Sequence, residues 1–412
     1  MHPFLFGFLF FLFGIATAAE NPPLTEPLCM LLQVVERLRE CVEKHELSAI
    51  HEEDMTLNVA VSALLRDAKQ NDLQVGLAMF GRQVADLHAA GDANDQPRSE
   101  AQLRVVLEAV QKLEASYPED VRAAARAMAS RYTCPMHAEV LGKKDEPCPK
   151  CGMPLDQLVR PALFRPGTTL IPTKTIRANT FTDTPLKVGE KKYVTVHLAK
   201  IVGDGPVRPI DLREVHTQKI HLLVVDASLT DYHHEHPQPT QTAGDYAFTF
   251  TPQKPGPYRV WADVRPLATG FQEYVMTDIP GVGKPEPLVE KGTKLHAELD
   301  GLRFDLAFAQ DVVKAGQPVS ATLRITDEKG APFSQLEPIM AAYAHLVGFC
   351  DDFSTVLHLH PKGAPPQNPA DRGGPELEFT FFALRAGFVR LFAQVQVGGI
   401  SKLAPLGVNV LP

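Results

Sequence analysis

Laid on one another without a gap, HLLVVDASLTDYHHEHP (residues 221–237) and HLVGFCDDFSTVLHLHP (345–361) share three His positions and a closing Pro at an offset of 124. Farther on, FTFTPQKPGPYRVWADV (248–264) lies on FTFFALRAGFVRLFAQV (379–395) at an offset of 131, so the second copy carries seven additional residues. These fall in KGAPPQNPADRGGP, whose Pro and Gly suit a loop. Upstream, LKVGEKKYVTVHL matches VVKAGQPVSATLRI in texture. A duplication of this kind requires one domain built twice. Short β-rich runs separated by Gly, Pro and Asp make each copy all-β, and its size suits an immunoglobulin-like sandwich. The expected copies are 165–290 and 291–412, joined near GVGKPEPLVEKGTK (281–294).

The N-terminal part has a different period. LLQVVERLRECVEKH, MTLNVAVSALLRDAKQ, QVGLAMFGRQVADLHAA and AQLRVVLEAVQKLEAS repeat apolar residues at three- and four-residue steps, and YPEDVRAAARAMASRY adds a last helix. A helical bundle is therefore expected over 20–130. It resembles the four-helix cytochrome bundles in length and pattern alone; with no CxxCH attachment motif, no haem is expected. His45, His51 and His88 read as surface or helix-end histidines. Cys29 and Cys41 would stand about 18 Å apart on one helix, too far for a disulfide, and read as buried apolar residues.

Between the two halves, YTCPMHAEVLGKKDEPCPKCGMPL (132–155) holds two chelating pairs, Cys134-x2-His137 and Cys148-x2-Cys151. Pro135, Pro149 and Gly152 suit the tight turns that converge four donors on a tetrahedral ion. So short a segment cannot bury an adequate core, and the ion would supply its folding free energy. A Cys148–Cys151 redox disulfide is the competing reading, but it lacks a thioredoxin-like context and leaves His137 unexplained. The opening Tyr-Thr-Cys-Pro-Met-His and the closing Cys-Pro-Lys-Cys-Gly-Met resemble the small heavy-metal-binding domain of copper and silver efflux membrane-fusion subunits and copper-transporting P-type ATPases. The resemblance covers about 131–158, within a small zinc-ribbon-like module expected over 131–160, and departs from the family at Ala138, where Pro is common. It implies Cys134, His137, Cys148 and Cys151 as ligands. Met136 and Met153 add soft thioethers beside them, which would suit Cu(I) or Ag(I), whereas the thiolate and imidazole set suits zinc by default.

In each β copy one His precedes a His-x-His-Pro by thirteen residues: His221, His234 and His236, then His345, His358 and His360. Residues two apart on a strand face the same way, so each His-x-His presents two imidazoles on one side. A hairpin in the right register brings the upstream His to that side, and a register shifted by one residue sends it away. Each copy is thus expected to bind its own ion. By alternation His233 points away and is expected to be solvated, and Cys350 faces the core. His197, His216 and His296 have no His counterpart in the other copy and read as ordinary. The second copy also resembles small exported bacterial domains joined to heavy-metal-binding modules, which implies an architecture and a metal association but no reaction.

Export is expected from the apolar run Pro3–Ile15 and the small residues 16–19, read as a signal peptide over 1–19, with a membrane anchor as the alternative if it stays uncleaved. The chain is then periplasmic or secreted. A formal net charge of −8 leaves no basic stripe for nucleic acid. No nucleotide loop or Ser-His-Asp set is discernible, so hydrolase and nucleotide chemistry lack support. The expectation is a multidomain, non-enzymatic, exported protein for a heavy metal, copper first and zinc or silver otherwise, acting in metal homeostasis or resistance with an efflux or delivery protein as partner. Two alternatives stand beside it: an extracellular scaffold with structural zinc, and a copper oxidoreductase, which would need a Cys-His and downstream Met that are missing.

Overall fold

The computed structural model describes residues 24–67, 71–134, 136–137, 139–159 and 174–412. The expected signal peptide, Pro135 and Ala138 lie outside them.

Within the described residues, each periodic segment of the N-terminal part forms a helix: α1 (Thr25–Glu43), α2 (Asp54–Asp67), α3 (Asn71–Asp92), α4 (Gln96–Ala115) and α5 (Glu119–Ala129). The buried stripe of α1 runs through Leu28, Leu31, Val34, Leu38 and Val42, the three- and four-residue steps that put side chains on one face. Asp95 starts α4 by accepting from the Arg98 backbone N–H at 3.1 Å, which satisfies one of the donors that a helix start leaves over. Cys29 and Cys41 are both buried in this core and are not joined by a disulfide, as their spacing requires.

Three two-residue strands follow, β1 (Tyr132–Thr133), β2 (Leu141–Gly142) and β3 (Gln157–Leu158), in the order β2-β1-β3. The apolar core beneath them is Cys134, Cys148 and Leu155, with Tyr132 and Val140 against it. Gln33 of α1 donates to the Val159 carbonyl at 2.9 Å, and Lys144 pairs with Glu40, fastening this module to the bundle.

The first repeat comprises β4 (Ile176–Phe181), β5 (Lys192–Lys200), β6 (Ile220–Asp226), β7 (Tyr232–Glu235), β8 (Gln238–Pro239), β9 (Asp245–Phe250), β10 (Tyr258–Val264) and β11 (Glu273–Ile279). They form two antiparallel sheets, β4-β5-β9-β8 and β11-β10-β6-β7. The second comprises β12 (His296–Leu299), β13 (Leu302–Phe308), β14 (Val319–Asp327), β15 (His345–Cys350), β16 (Val356–Leu359), β17 (Glu376–Phe381), β18 (Gly387–Val397) and β19 (Ile400–Val410), in sheets β12-β13-β14-β17 and β16-β15-β18-β19. Each repeat is a sandwich of its own pair of sheets.

The two sandwiches also pack face to face. In β6, Ile220, Leu222 and Val224 fill the first sandwich, while Leu223 and Val225 join Trp261, Val347, Phe349 and Phe392 in a separate cluster between the repeats. In β15, Leu346 and Cys350 face the second core and Val347 and Phe349 the partner sheet. Both faces of these strands are therefore covered, and all seven residues of β6 and all six of β15 are buried.

The bundle docks on the first repeat at residues 265–272. Phe271 belongs to the bundle core. A Cβ at Gly81 of α3 would lie 2.1 Å from the Thr269 carbonyl oxygen, so only Gly lets the helix approach this closely. Asp86 pairs with Arg213 at 2.7 Å. His88, expected at the surface, is instead buried here: its Nδ1 accepts from Arg265 at 3.2 Å and its Nε2 faces Asp92 at 3.0 Å. His45 stands exposed just beyond α1, as a helix-end histidine should.

Candidate metal centres

The four donors of the cysteine module converge. Cys134 Sγ lies 3.5 Å from Cys151 Sγ and 3.8 Å from His137 Nδ1, and Cys148 Sγ lies 3.7 Å from that same nitrogen. Bonds of about 2.3 Å to sulfur and 2.0 Å to nitrogen place tetrahedral donors roughly 3.3–3.8 Å apart, so these spacings are the edges of such a site. The turn after Cys148 is built by its carbonyl, which accepts from the Gly152 N–H at 2.7 Å, and Gly152 takes the left-handed φ of 77° that the turn needs. Desolvation works against the Cys148 thiolate, yet the N–H groups of Lys150 and Cys151 outweigh it and bring the thiol down to about 6. A thiol that ionises this readily is prepared for a metal ion. Cys134 and Cys148 are buried and Cys151 is exposed. Met136 and Met153, expected beside the cluster, are 71% and 37% exposed.

The hairpin registers bring each histidine triad to one face. Leu223 pairs with His234 and Leu222 with Glu235, which sets His221 opposite His236. Val347 pairs with His358 and Leu346 with Leu359, which sets His345 opposite His360. In each triad the three ligand atoms lie within 4.8 Å of one another. His221 Nδ1 is 3.3 Å from His234 Nε2 and 3.2 Å from His236 Nε2, and His345 Nδ1 is 3.1 Å from His358 Nε2.

The His221–His234 and His345–His358 contacts are not ordinary hydrogen bonds. His221 Nε2 faces the Val215 carbonyl and His345 Nε2 faces the Ile339 carbonyl, each at 3.1 Å, so both nitrogens must be the N–H donors. His234 Nδ1 likewise donates to Gln394 Oε1 and His358 Nδ1 to Asp263 Oδ2, each at 2.9 Å. In a neutral imidazole the other nitrogen then carries a lone pair. His221 Nδ1 and His234 Nε2 thus meet lone pair to lone pair, as do His345 Nδ1 and His358 Nε2. That arrangement is repulsive unless a cation lies between them. A proton is disfavoured, because burial pushes His234, His345 and His358 well below their ordinary range and also lowers His221. A metal ion meets the requirement, and acceptors on the outer nitrogen are how metal-bound histidines are oriented.

The carbonyls at 215 and 339 occupy equivalent places. Each precedes a tight turn whose two central residues have positive φ: His216 (48°) and Thr217 (67°), then Met340 (49°) and Ala341 (58°). Non-glycine residues in this region cost free energy, and such strain gathers at functional sites.

Sequence reading missed three residues here. His216, taken as ordinary, stacks on His360 with ring centroids 3.8 Å apart. Extending the 124-residue offset upstream would have aligned VHTQ with IMAA, setting His216 against Met340, two residue types that ligate soft metals. Asp263 and Gln394 stand at the 131-residue offset, but nothing in the sequence says that each reaches the other repeat. The other expectations for single histidines hold in part. His233 points away from its triad but is not solvated: it is half-buried, 3.1 Å from Asp231 and against the Phe250 ring. His197 and His296 are paired with Asp245 and Asp305 at 2.6 and 2.7 Å.

The family described as Domain of unknown function (DUF8832) matches residues 175–277 and 297–411, more than half of the chain. Heavy metal binding domain matches residues 131–155. No curated protein matches. Similar solved structures include Salmonella alpha-2-macroglobulin reacted with methylamine, at 14% identity over 58% of this chain and 15% of that one, with a TM-score of 0.18. Escherichia coli alpha-2-macroglobulin activated by porcine elastase has 12% identity over 57% and 31%, with a TM-score of 0.18. A DUF4785 family protein from Legionella pneumophila has 11% identity over 66% and 62%, with a TM-score of 0.19. The chain spans less than two thirds of each of these, and at such TM-scores the likenesses carry no argument.

Proposed function

Since the chain belongs to the family described as Domain of unknown function (DUF8832), which takes in both β repeats, and carries a heavy metal binding domain ahead of them, we propose that it is an exported protein that binds a heavy metal and passes it on. The metal is copper first, with zinc or silver as alternatives, and the setting is homeostasis or resistance. The observation that carries this reading is the set of imidazole nitrogens that face each other lone pair to lone pair and need a cation between them. Exchange rather than burial of the ion is favoured at the cysteine module, where Cys151 is exposed and so are Met136 and Met153, close to the ligands in sequence. Soft ligands that reach solvent suit hand-over of Cu(I) or Ag(I) to an efflux or delivery protein. The proposed role is binding, not catalysis.

Structural zinc is the second reading, because the histidine triads lie between the two sandwiches, where an ion would act as a staple. Metal analysis of the chain purified with reduced thiols, followed by transfer to a chromophoric Cu(I) chelator, separates the two. The proposal expects copper at the cysteine module that leaves within minutes. Zinc that stays bound at all sites would favour the staple.

A further inference from the structure

The two triads do not sit in separate domains in the way that two independent sites would. Across the repeat boundary the His234 ring is 5.1 Å from His358 and 5.7 Å from His345, and His221 is 5.4 Å from His358. Within the triads the ring separations are 4.7–5.5 Å. The six rings form one cluster.

The anchors of the cluster are exchanged between the repeats. On β10, Asp263 pairs with His221 of its own sheet, but its carboxylate takes the Nδ1–H of His358 from the other repeat. On β18, Gln394 pairs with His345 of its own sheet, but its amide oxygen takes the Nδ1–H of His234. Asp263 is itself held by Gln272, whose Nε2 lies 2.8 and 3.0 Å from its two oxygens, and Gln394 by Ser401 at 3.1 Å. The two halves are thus alike in geometry and unlike in charge. A carboxylate behind an imidazole makes it a better donor than a neutral amide does.

We propose that the six histidines form one two-ion centre at the interface of the repeats, in which Asp263 of the first repeat sets the affinity of the second triad and Gln394 of the second repeat sets that of the first. The Asp263-backed triad (His345, His358, His360) then fills first. The ions also hold the sandwiches together, because each one is oriented by both. This rests on the metal-binding reading above.

The test uses the full chain with its cysteine module already filled, titrated with Zn²⁺ alone against a chromophoric chelator. Wild type should take up two further equivalents of unequal affinity. With His234 and His236 changed to Ala one equivalent remains, and Asp263→Asn should weaken it roughly 10- to 100-fold. With His358 and His360 changed to Ala, Asp263→Asn should leave the remaining equivalent unchanged. Gln394→Glu should tighten that same equivalent, which keeps the proposal testable if Asp263→Asn folds poorly. Two equivalents that respond to neither anchor, or respond to the anchor of their own repeat, overturn the exchange of anchors while sparing metal binding. No zinc beyond the cysteine module overturns both.

Discussion

Single residues carry two kinds of information here. The donors were legible, because metal-ligand spacing and a repeated His pattern leave a mark in the sequence. Their supports were not, since a backbone carbonyl at 215 or 339 has no side chain to recognise, and Asp263 and Gln394 act on a strand more than ninety residues away in the chain. Two predictions belong at this scale. Cys148→Ser removes a buried thiolate from a module whose apolar core is three residues, so metal content should fall by one equivalent. The segment around residue 140 should also become a protease site, as metal binding and folding are coupled there. Thr217 is β-branched at a φ of 67°, a strained position. Thr217→Gly should therefore raise the unfolding free energy by about 1 kcal/mol, seen in a denaturant titration, with zinc affinity unchanged because the Val215 carbonyl keeps its place.

At the level of elements, helix periodicity located the five α-helices of the described residues, and the hairpins of β6 with β7 and β15 with β16 have a register that gathers each triad. What the strands could not disclose is that two sheets face each other. Alternation distinguishes a buried face from a wet one, and β6 and β15 have no wet face. For the same reason the sequence could not show that the two triads, one to each repeat as expected, meet in one cluster at the boundary. Trp261 fills that boundary, 1% exposed, with its ring 5.4 Å from Phe349. Trp261→Ala should cost about 3–5 kcal/mol in stability. It should also weaken zinc binding at both triads, since the anchors reach across the same gap. Leu38→Ala, in the bundle core, should cost about 2–5 kcal/mol and leave zinc affinity alone. Chemical denaturation and chelator competition on the two variants provide the comparison.

For the whole molecule, the order of parts in the sequence survives folding, but the parts are not beads on a string. The cysteine module is tied to α1 through Gln33 and Glu40, and the bundle grips residues 265–272. Gln272, whose backbone carbonyl accepts from Asn58 of α2, is the residue that holds Asp263. A continuous set of contacts therefore runs from the bundle to the second triad. The proposed metal content is one thiolate site and a two-ion histidine centre in one chain. Anomalous diffraction at the zinc edge, from crystals of the full chain grown with Zn²⁺, tests it directly. One peak is expected about 2.3 Å from the sulfurs of Cys134, Cys148 and Cys151, and two peaks between the sandwiches about 2.0 Å from the triad nitrogens. A map with the first peak and nothing between His221 and His358 would contradict it.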